Sequence, residues 1–354
     1  MKASHLSSTR RFSYAMIHKN RKVESAHQTI IANLKFARFI SYNRAIMRIL
    51  IELPSWLGDS IMATPAIENI FDQFEECEVT FIGLDIPIQA LKNHPKAHDS
   101  IVIKKNYLSL YKFARQIGNY DFFFTFRGSF RSKILKFLVK SNAKFQYHHN
   151  IDVNKHQVER YTDFINQSLQ IRSSTGPLTL YIQKFESSSK KKLLGLNPGA
   201  SYGSAKRWYP EEFAKVAIEL APKFDILIFG GPKEKDIAKE IEFFLSKSNV
   251  RNFKNLAGLT SISEVIEKIS ILDLFVTGDS GPMHIAASFN IPTVSIFGPT
   301  RSFETSQWMN KQSINLKKDL SCQPCMKRTC PLGHHNCMKE IKAKDVLNAL
   351  KNIK

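Results

Sequence analysis

The chain has 354 residues, 43% of them hydrophobic, and a formal net charge of +20 at pH 7. That length suggests two domains more readily than one, and the apolar share is enough for a buried core. No apolar run is long enough to span a bilayer as a helix, and the basic start lacks the apolar stretch of a secretory signal. The charge excess points to anionic partners such as nucleic acid, phosphorylated lipid or nucleotide-like substrates.

Residues 1–46 stand apart. They hold nine Lys or Arg, a single acid, Glu24, and no clear strand. One reading is a basic membrane-surface tail, with IIANLKFARFI as a weakly amphipathic helix. The other, which we prefer, puts the native start at Met47, because a first strand normally opens a fold of the kind that follows.

From Met47 onward strand and helix signals alternate. RILIEL (48–53) predicts a strand and SIMATPAIENIFDQF (60–74) one helix. EVTFIGL and AHDSIVIK predict strands, LSLYKFARQIG a helix, YDFFFTF a buried strand and RSKILKFLVKS a helix. The pattern weakens near 165–190, where ESSSKKK reads as a linker. It then restarts with the strand LLGLNPG, the helix PEEFAKVAIELAPK, the strand DILIFGG and the helix EKDIAKEIEFFLSK. FKNLAG, the helix SISEVIEKISI, the strand LDLFVTGDSG, the helix PMHIAASFN, the strand IPTVSIFGP and a helix over 339–354 complete it. Such alternation means parallel sheets covered by helices, and two similar halves place a ligand in the cleft between them.

Three stretches could carry chemistry. In VTGDSGPMHIAA a strand ends in a polar turn, and Pro282 suits the first helical position. The free N–H groups of that helix start form an anion site, with Ser280 and His284 beside it. The alternative is an ordinary turn in which Asp279 or Ser280 caps the helix. In NPGASYGSAKRW a small-residue loop holds Lys206 just before a helix, where a cation can neutralise a departing phosphate. The alternative is a surface lysine beside an anchoring Trp208. In ELPSWLGDS, Asp59 follows the first strand and is either a helix N-cap or a general base facing the cleft. There is no GxGxxG fingerprint or P-loop, which argues against dinucleotide dehydrogenases and P-loop NTPases.

Together, PSWLGDSIMATPA, NPGASYGSAKRWYPEEFA and VTGDSGPMHIAASFNIPTVSIFGPT resemble the ADP-heptose:lipopolysaccharide heptosyltransferases, glycosyltransferase family 9, and most of all the type II enzymes. The similarity runs from Met47 to the end and leaves residues 1–46 without a counterpart. It implies an α/β GT-B fold of two Rossmann-like parallel-sheet domains facing a central cleft. Residues 47–185 would bind the acceptor and 190–354 the ADP-heptose. It implies inverting transfer of L-glycero-D-manno-heptose onto the first heptose of the lipopolysaccharide inner core. By motif match, Asp59 is the catalytic base, and Ser201, Lys206, Asp279, Ser280, Gly281 and His284 lie on the donor side.

On the acceptor side, Arg127, Ser129 and Arg131 in FRGSFRSKILKF suit a grip on phosphate or carboxylate groups. A solvated helix start is the other reading of that stretch. His156 and Arg160, in HQVERY, match a recurrent family stretch. Cys322, Cys325, Cys330 and Cys337 have metal-ligand spacing. Similar cysteine-rich tails recur in type II sequences whose chemistry calls for no metal, so reduced thiols or a structural staple are preferred. The expected partners are ADP-heptose, a heptosyl-Kdo-lipid A acceptor and the inner face of the cytoplasmic membrane. No cofactor and no nucleic acid are expected, and the location is cytoplasmic and peripheral to the membrane. The competing readings are a type I enzyme, a GT-B transferase with another nucleotide-sugar, and a basic nucleic-acid-binding protein.

Overall fold

Two parallel sheets follow one another along the chain in the computed structural model, which describes residues 46–149, 154–182 and 190–353. The expectations for residues 1–45 and for the middle of the linker lie outside these residues. Residues 47–354 form one compact unit.

The first sheet is built from β1 (Met47–Glu52), β2 (Cys77–Gly83), β3 (Ala97–Val102), β4 (Tyr120–Thr125) and β5 (Ser141–Gln146). Its order is β3-β2-β1-β4-β5 with every pair parallel. The connecting helices are α1 (Leu57–Met62), α2 (Thr64–Gln73), α3 (Asp85–Leu91), α4 (Tyr107–Gln116) and α5 (Phe130–Leu138), followed by α6 (Gln157–Leu169). The helix expected over 60–74 is broken in two. Pro65 has no N–H and its ring crowds the preceding turn, so α1 ends at Met62 and α2 restarts at Thr64. Thr64 Oγ1 takes up the Ile61 carbonyl at 2.8 Å.

The second sheet holds β6 (Lys192–Asn197), β7 (Phe224–Ile228), β8 (Phe253–Asn255), β9 (Leu274–Gly278), β10 (Thr293–Ile296) and β11 (Ser313–Leu316). Its order is β11-β10-β9-β6-β7-β8, again parallel. Its helices are α7 (Pro210–Leu220), α8 (Lys235–Lys247), α9 (Ile262–Ser270), α10 (Gly281–Ser288), α11 (Ser302–Thr305), α12 (Asn336–Lys339) and α13 (Ala343–Lys351). Leu194, Leu196, Val276, Val294 and Ile296 form its core with Trp208, Phe213 and Val346. Trp208 is an anchor: it is buried and donates from Nε1 to the Ile341 carbonyl at 2.9 Å.

Both orders reverse direction beside their first strand, at β1/β4 and at β6/β9. In open α/β sheets, ligands bind at the carboxyl ends of the strands at this switch point. The turns after β1, β4, β6 and β9 are where the three sequence motifs and the arginine stretch fall.

Candidate active site

Asp59 lies inside the first turn of α1, not at its cap; the cap is Trp56, which makes no side-chain cap bond. No hydrogen bond or ion pair is formed by the Asp59 carboxylate among the described residues, and it is partly exposed. Burial pushes its pKa up to about 6, with Lys206 opposing the rise and Asp279 adding to it. A carboxylate from the first half therefore feels a cation and an anion from the second.

The two halves touch at this point. A Cβ on Gly58 would stand 2.8 Å from His284 Cδ2, and one on Gly281 would stand 2.9 Å from the Leu57 side chain. Glycine at both positions lets α1 and the start of α10 meet. We expect Gly58→Ala to keep its circular dichroism spectrum but lose about 100-fold in kcat, because a displacement of about 1 Å is enough to misplace reacting groups. Turnover measured alongside the spectrum checks this.

On the second half, the turn after β9 is fastened from three sides. Asn197 Nδ2 donates to Ser280 Oγ at 2.9 Å and to Thr277 Oγ1 at 3.1 Å. Thr300 Oγ1 donates to Asp279 Oδ2 at 2.6 Å, and Lys206 Nζ pairs with the same oxygen at 2.5 Å. Lys206 is not the surface lysine of the alternative reading: its side chain is 12% exposed and lies over the Tyr202 ring at 4.8 Å. Asp279, expected on the donor side, stands beside the Ser280 turn as the carboxylate partner that holds the Lys206 ammonium. Two ammonium protons remain for a ligand.

Ser280 holds the N-cap position of α10 but makes no side-chain cap bond to the helix; its hydroxyl is taken up by Asn197 instead. The helix start thus carries no side-chain cap, and its dipole favours an anion there. His284 is buried, and burial, with His156 and Lys206 nearby, holds its pKa down at about 3. It is a neutral imidazole, and its Nδ1 is buried without a partner among the described residues. Ser201 is exposed on the loop after β6.

The loop carrying Lys206 rests on the cysteine-rich segment. The Ala205 N–H donates to the Arg328 carbonyl at 3.0 Å, and His335 Nε2 donates to the Ala205 carbonyl at 3.0 Å. The Tyr202 hydroxyl donates to the Met326 carbonyl at 2.7 Å. Cys322, Cys325, Cys330 and Cys337 line one small cavity with His334 and His335, and all four thiols are free. Among the described residues no three potential ligands are gathered as a metal site. Backbone N–H groups, that of His335 foremost, hold the Cys330 thiol below its ordinary range, while burial pushes Cys337 up to about 11.

The acceptor-side residues divide. Arg127 and Arg131 reach Glu52 Oε1 at 3.2 and 3.6 Å, and Thr125 Oγ1 donates to Glu52 Oε2 at 2.6 Å. The expected outward grip is thus partly turned inward, onto a carboxylate that is 1% exposed. Two guanidinium groups on one carboxylate still leave a positive rim. Ser129 is the N-cap of α5, accepting from the Ser132 N–H, so its hydroxyl holds the helix rather than standing free. His156 caps α6 and donates from Nε2 to the Ser306 carbonyl at 3.0 Å, and Arg160 pairs with Glu304 at 3.3 Å. Both reach across to the second half, so the bonds to Ser306 and Glu304 serve the joint between the halves. Glu52, Asn197 and Thr300 were not anticipated. The signal for Glu52 was an acid inside an apolar strand.

Two Rossmann-type parallel sheets, with a carboxylate from one half set beside a lysine and a helix start from the other, have the plan of a two-domain GT-B glycosyltransferase. The family model for glycosyltransferase family 9 (heptosyltransferase) matches residues 110–336. Lipooligosaccharide heptosyltransferase 2 of Campylobacter jejuni is 41% identical over 317 residues, covering 87% of this chain and 98% of its own. This chain belongs to glycosyltransferase family 9, the heptosyltransferases. Two solved structures share the fold. E. coli ADP-heptose LPS heptosyltransferase II has a TM-score of 0.73 at 21% identity, covering 87% of this chain and 98% of that one. A family 9 glycosyltransferase of Veillonella parvula has a TM-score of 0.77 at 20% identity, covering 88% and 98%.

Proposed function

We propose that the chain transfers L-glycero-D-manno-heptose from ADP-heptose to the first heptose of a lipopolysaccharide inner core, with inversion at the anomeric carbon. The observation that carries this is the convergence of Asp59 with the Lys206–Asp279 pair and the uncapped start of α10. The 41% identity to a heptosyltransferase 2 over nearly the whole relative supports the type II assignment.

Asp59 takes the proton of the acceptor hydroxyl as its oxygen attacks the anomeric carbon. The bond from that carbon to the phosphate oxygen breaks, and its electron pair leaves with ADP. The charge that develops there meets the α10 amides and Lys206. The neutral His284 contributes at most a hydrogen bond and no charge. The Arg127–Arg131 rim, one positive charge in excess over Glu52, faces the anionic groups of the acceptor.

This chemistry needs no divalent cation, because a lysine and a helix start already supply the positive field. Turnover is expected to be unchanged in EDTA; full loss restored by magnesium would contradict it. The acceptor is a lipid, so the enzyme works at the inner face of the cytoplasmic membrane. No helix among the described residues is long and apolar enough to cross a membrane. The decisive assay supplies ADP-heptose and a mono-heptosylated Kdo-lipid A and follows heptose addition, with other nucleotide-sugars as competitors. Preferential use of another donor would overturn the proposal.

A further inference from the structure

We propose that the outer face of α4 and α5 docks the protein on an anionic lipid bilayer. The inference deepens the proposed function and rests on its lipid-borne acceptor. Both helices bury one side against the sheet: Leu110 and Leu135 pack with Leu50, Ile82 and Phe123. Left exposed are Tyr107, Leu108 and Tyr111 on α4, flanking its buried side, and Phe130 and Phe137 on α5, opposite its buried side. Tyr107, Leu108 and Tyr111 recur at helical spacing, as do Phe130 and Phe137, so each set shares a face. Phe137 is 83% exposed, Phe130 70% and Leu108 64%. Scattered exposed apolar residues are ordinary, but large ones grouped on two adjacent helices mark an interaction surface.

Charge selects the occupant. Residues 100–149 contain ten Lys or Arg and a single acid, Asp121. That acid is engaged by the Arg48 N–H and by Asn142. Exposed Lys112 and Lys133 stand among the aromatic residues. The cores of protein–protein interfaces are depleted in lysine. Aromatic rings interleaved with lysines are instead what the headgroup zone of an anionic bilayer takes up: the rings settle at the interface and the ammonium groups meet lipid phosphates.

Position supports the same reading. The α4 and α5 helices begin at the carboxyl ends of β3 and β4, on the sheet edge that carries Asp59. Arg131 Nη2 donates to the Lys104 carbonyl at 2.9 Å, tying the start of α5 to the loop that enters α4. A bilayer against this face puts lipid-linked headgroups beside the Arg127–Arg131 rim.

The test is co-sedimentation of the full chain with vesicles of phosphatidylcholine alone or mixed with phosphatidylglycerol. Wild type is expected to bind the mixed vesicles and release them in high salt. Tyr111→Ser with Phe137→Ser, and separately Lys112→Glu with Lys133→Glu, should each weaken that binding by roughly tenfold. Turnover of a delipidated, soluble acceptor should be unchanged in both variants, while KM rises for acceptor embedded in vesicles. If the soluble acceptor is not used even by wild type, the proposed function fails, whereas vesicle binding is read independently. Undiminished vesicle binding by both variants overturns the inference. So does a wild-type dimer that the variants break without any change in vesicle binding, or a preference of this face for duplex DNA over vesicles.

Discussion

Asp59→Asn should lose about 100- to 10,000-fold in kcat and keep its affinity for ADP. The proposed donor contacts lie on the second half, and amide for carboxylate preserves shape. Turnover measured beside calorimetric ADP titration separates the two effects. The pH profile carries the same signature. With its pKa near 6, Asp59 is a base only above that value, so kcat/KM should fall as pH drops through about 6. The neighbours set the sign of further shifts. Lys206→Met removes the opposing cation and should move the inflection up; Asp279→Asn removes a like charge and should move it down.

Folding stability follows from the same shift. The folded-state pKa lies above the ordinary 3.8, so the native state holds this proton more tightly than the unfolded chain. Stability is then lost as pH rises from about 4 to 6 and stays lost above. Asp59→Asn should accordingly melt higher than wild type at neutral pH, with the gain vanishing near pH 4. A carboxylate that costs stability is what a site built for function, and not for folding, would show.

Lys206→Met is expected to have the second large effect, on two observables at once. Asp279 is 4% exposed, and the variant leaves it buried with the Thr300 hydroxyl but no cation beside it. Breaking one side of a buried pair costs about 3–5 kcal/mol, because the surviving charge is not compensated. Chemical denaturation should register that loss, and turnover should fall with it as the leaving phosphate loses its cation. Lys206→Met combined with Asp279→Asn separates the two roles. Stability should return toward wild type, since neither charge is left alone, while activity stays low. If the double variant recovers turnover, Lys206 is only a structural partner of Asp279.

The architecture was largely legible in the chain because strands buried on both faces are continuous apolar runs. YDFFFTF, LLGL and LDLFV are such runs, and they became β4, β6 and β9. The edge strands β5 and β11, SNAKFQ and SINL, were not anticipated; they are mostly half-exposed, and their polar residues hide the pattern. Helix α6 was missed for another reason. Its buried side includes Gln157, Arg160 and Thr162, so its apolar periodicity is interrupted. Helix α3, DIPIQAL, is short and carries a proline.

The candidate site was legible as three turns following three strands, because anion seats and bases are confined to strand ends. What each residue does there was not. Lys206 and Asp279 are 73 positions apart, and only the adjacency of β6 and β9 makes them partners. Glu52 reaches Arg127 and Arg131 because β1 pairs with β4.

The order of the buried strands and of most helices between them, the two-part plan and the location of the three turns were determined by the amino-acid sequence alone, through hydrophobic period and turn chemistry, which are local properties. Which charges meet was decided only by the tertiary structure. A carboxylate's role depends on how deeply it is buried and which ions stand beside it, and both come from sheet order and from the packing of one half against the other.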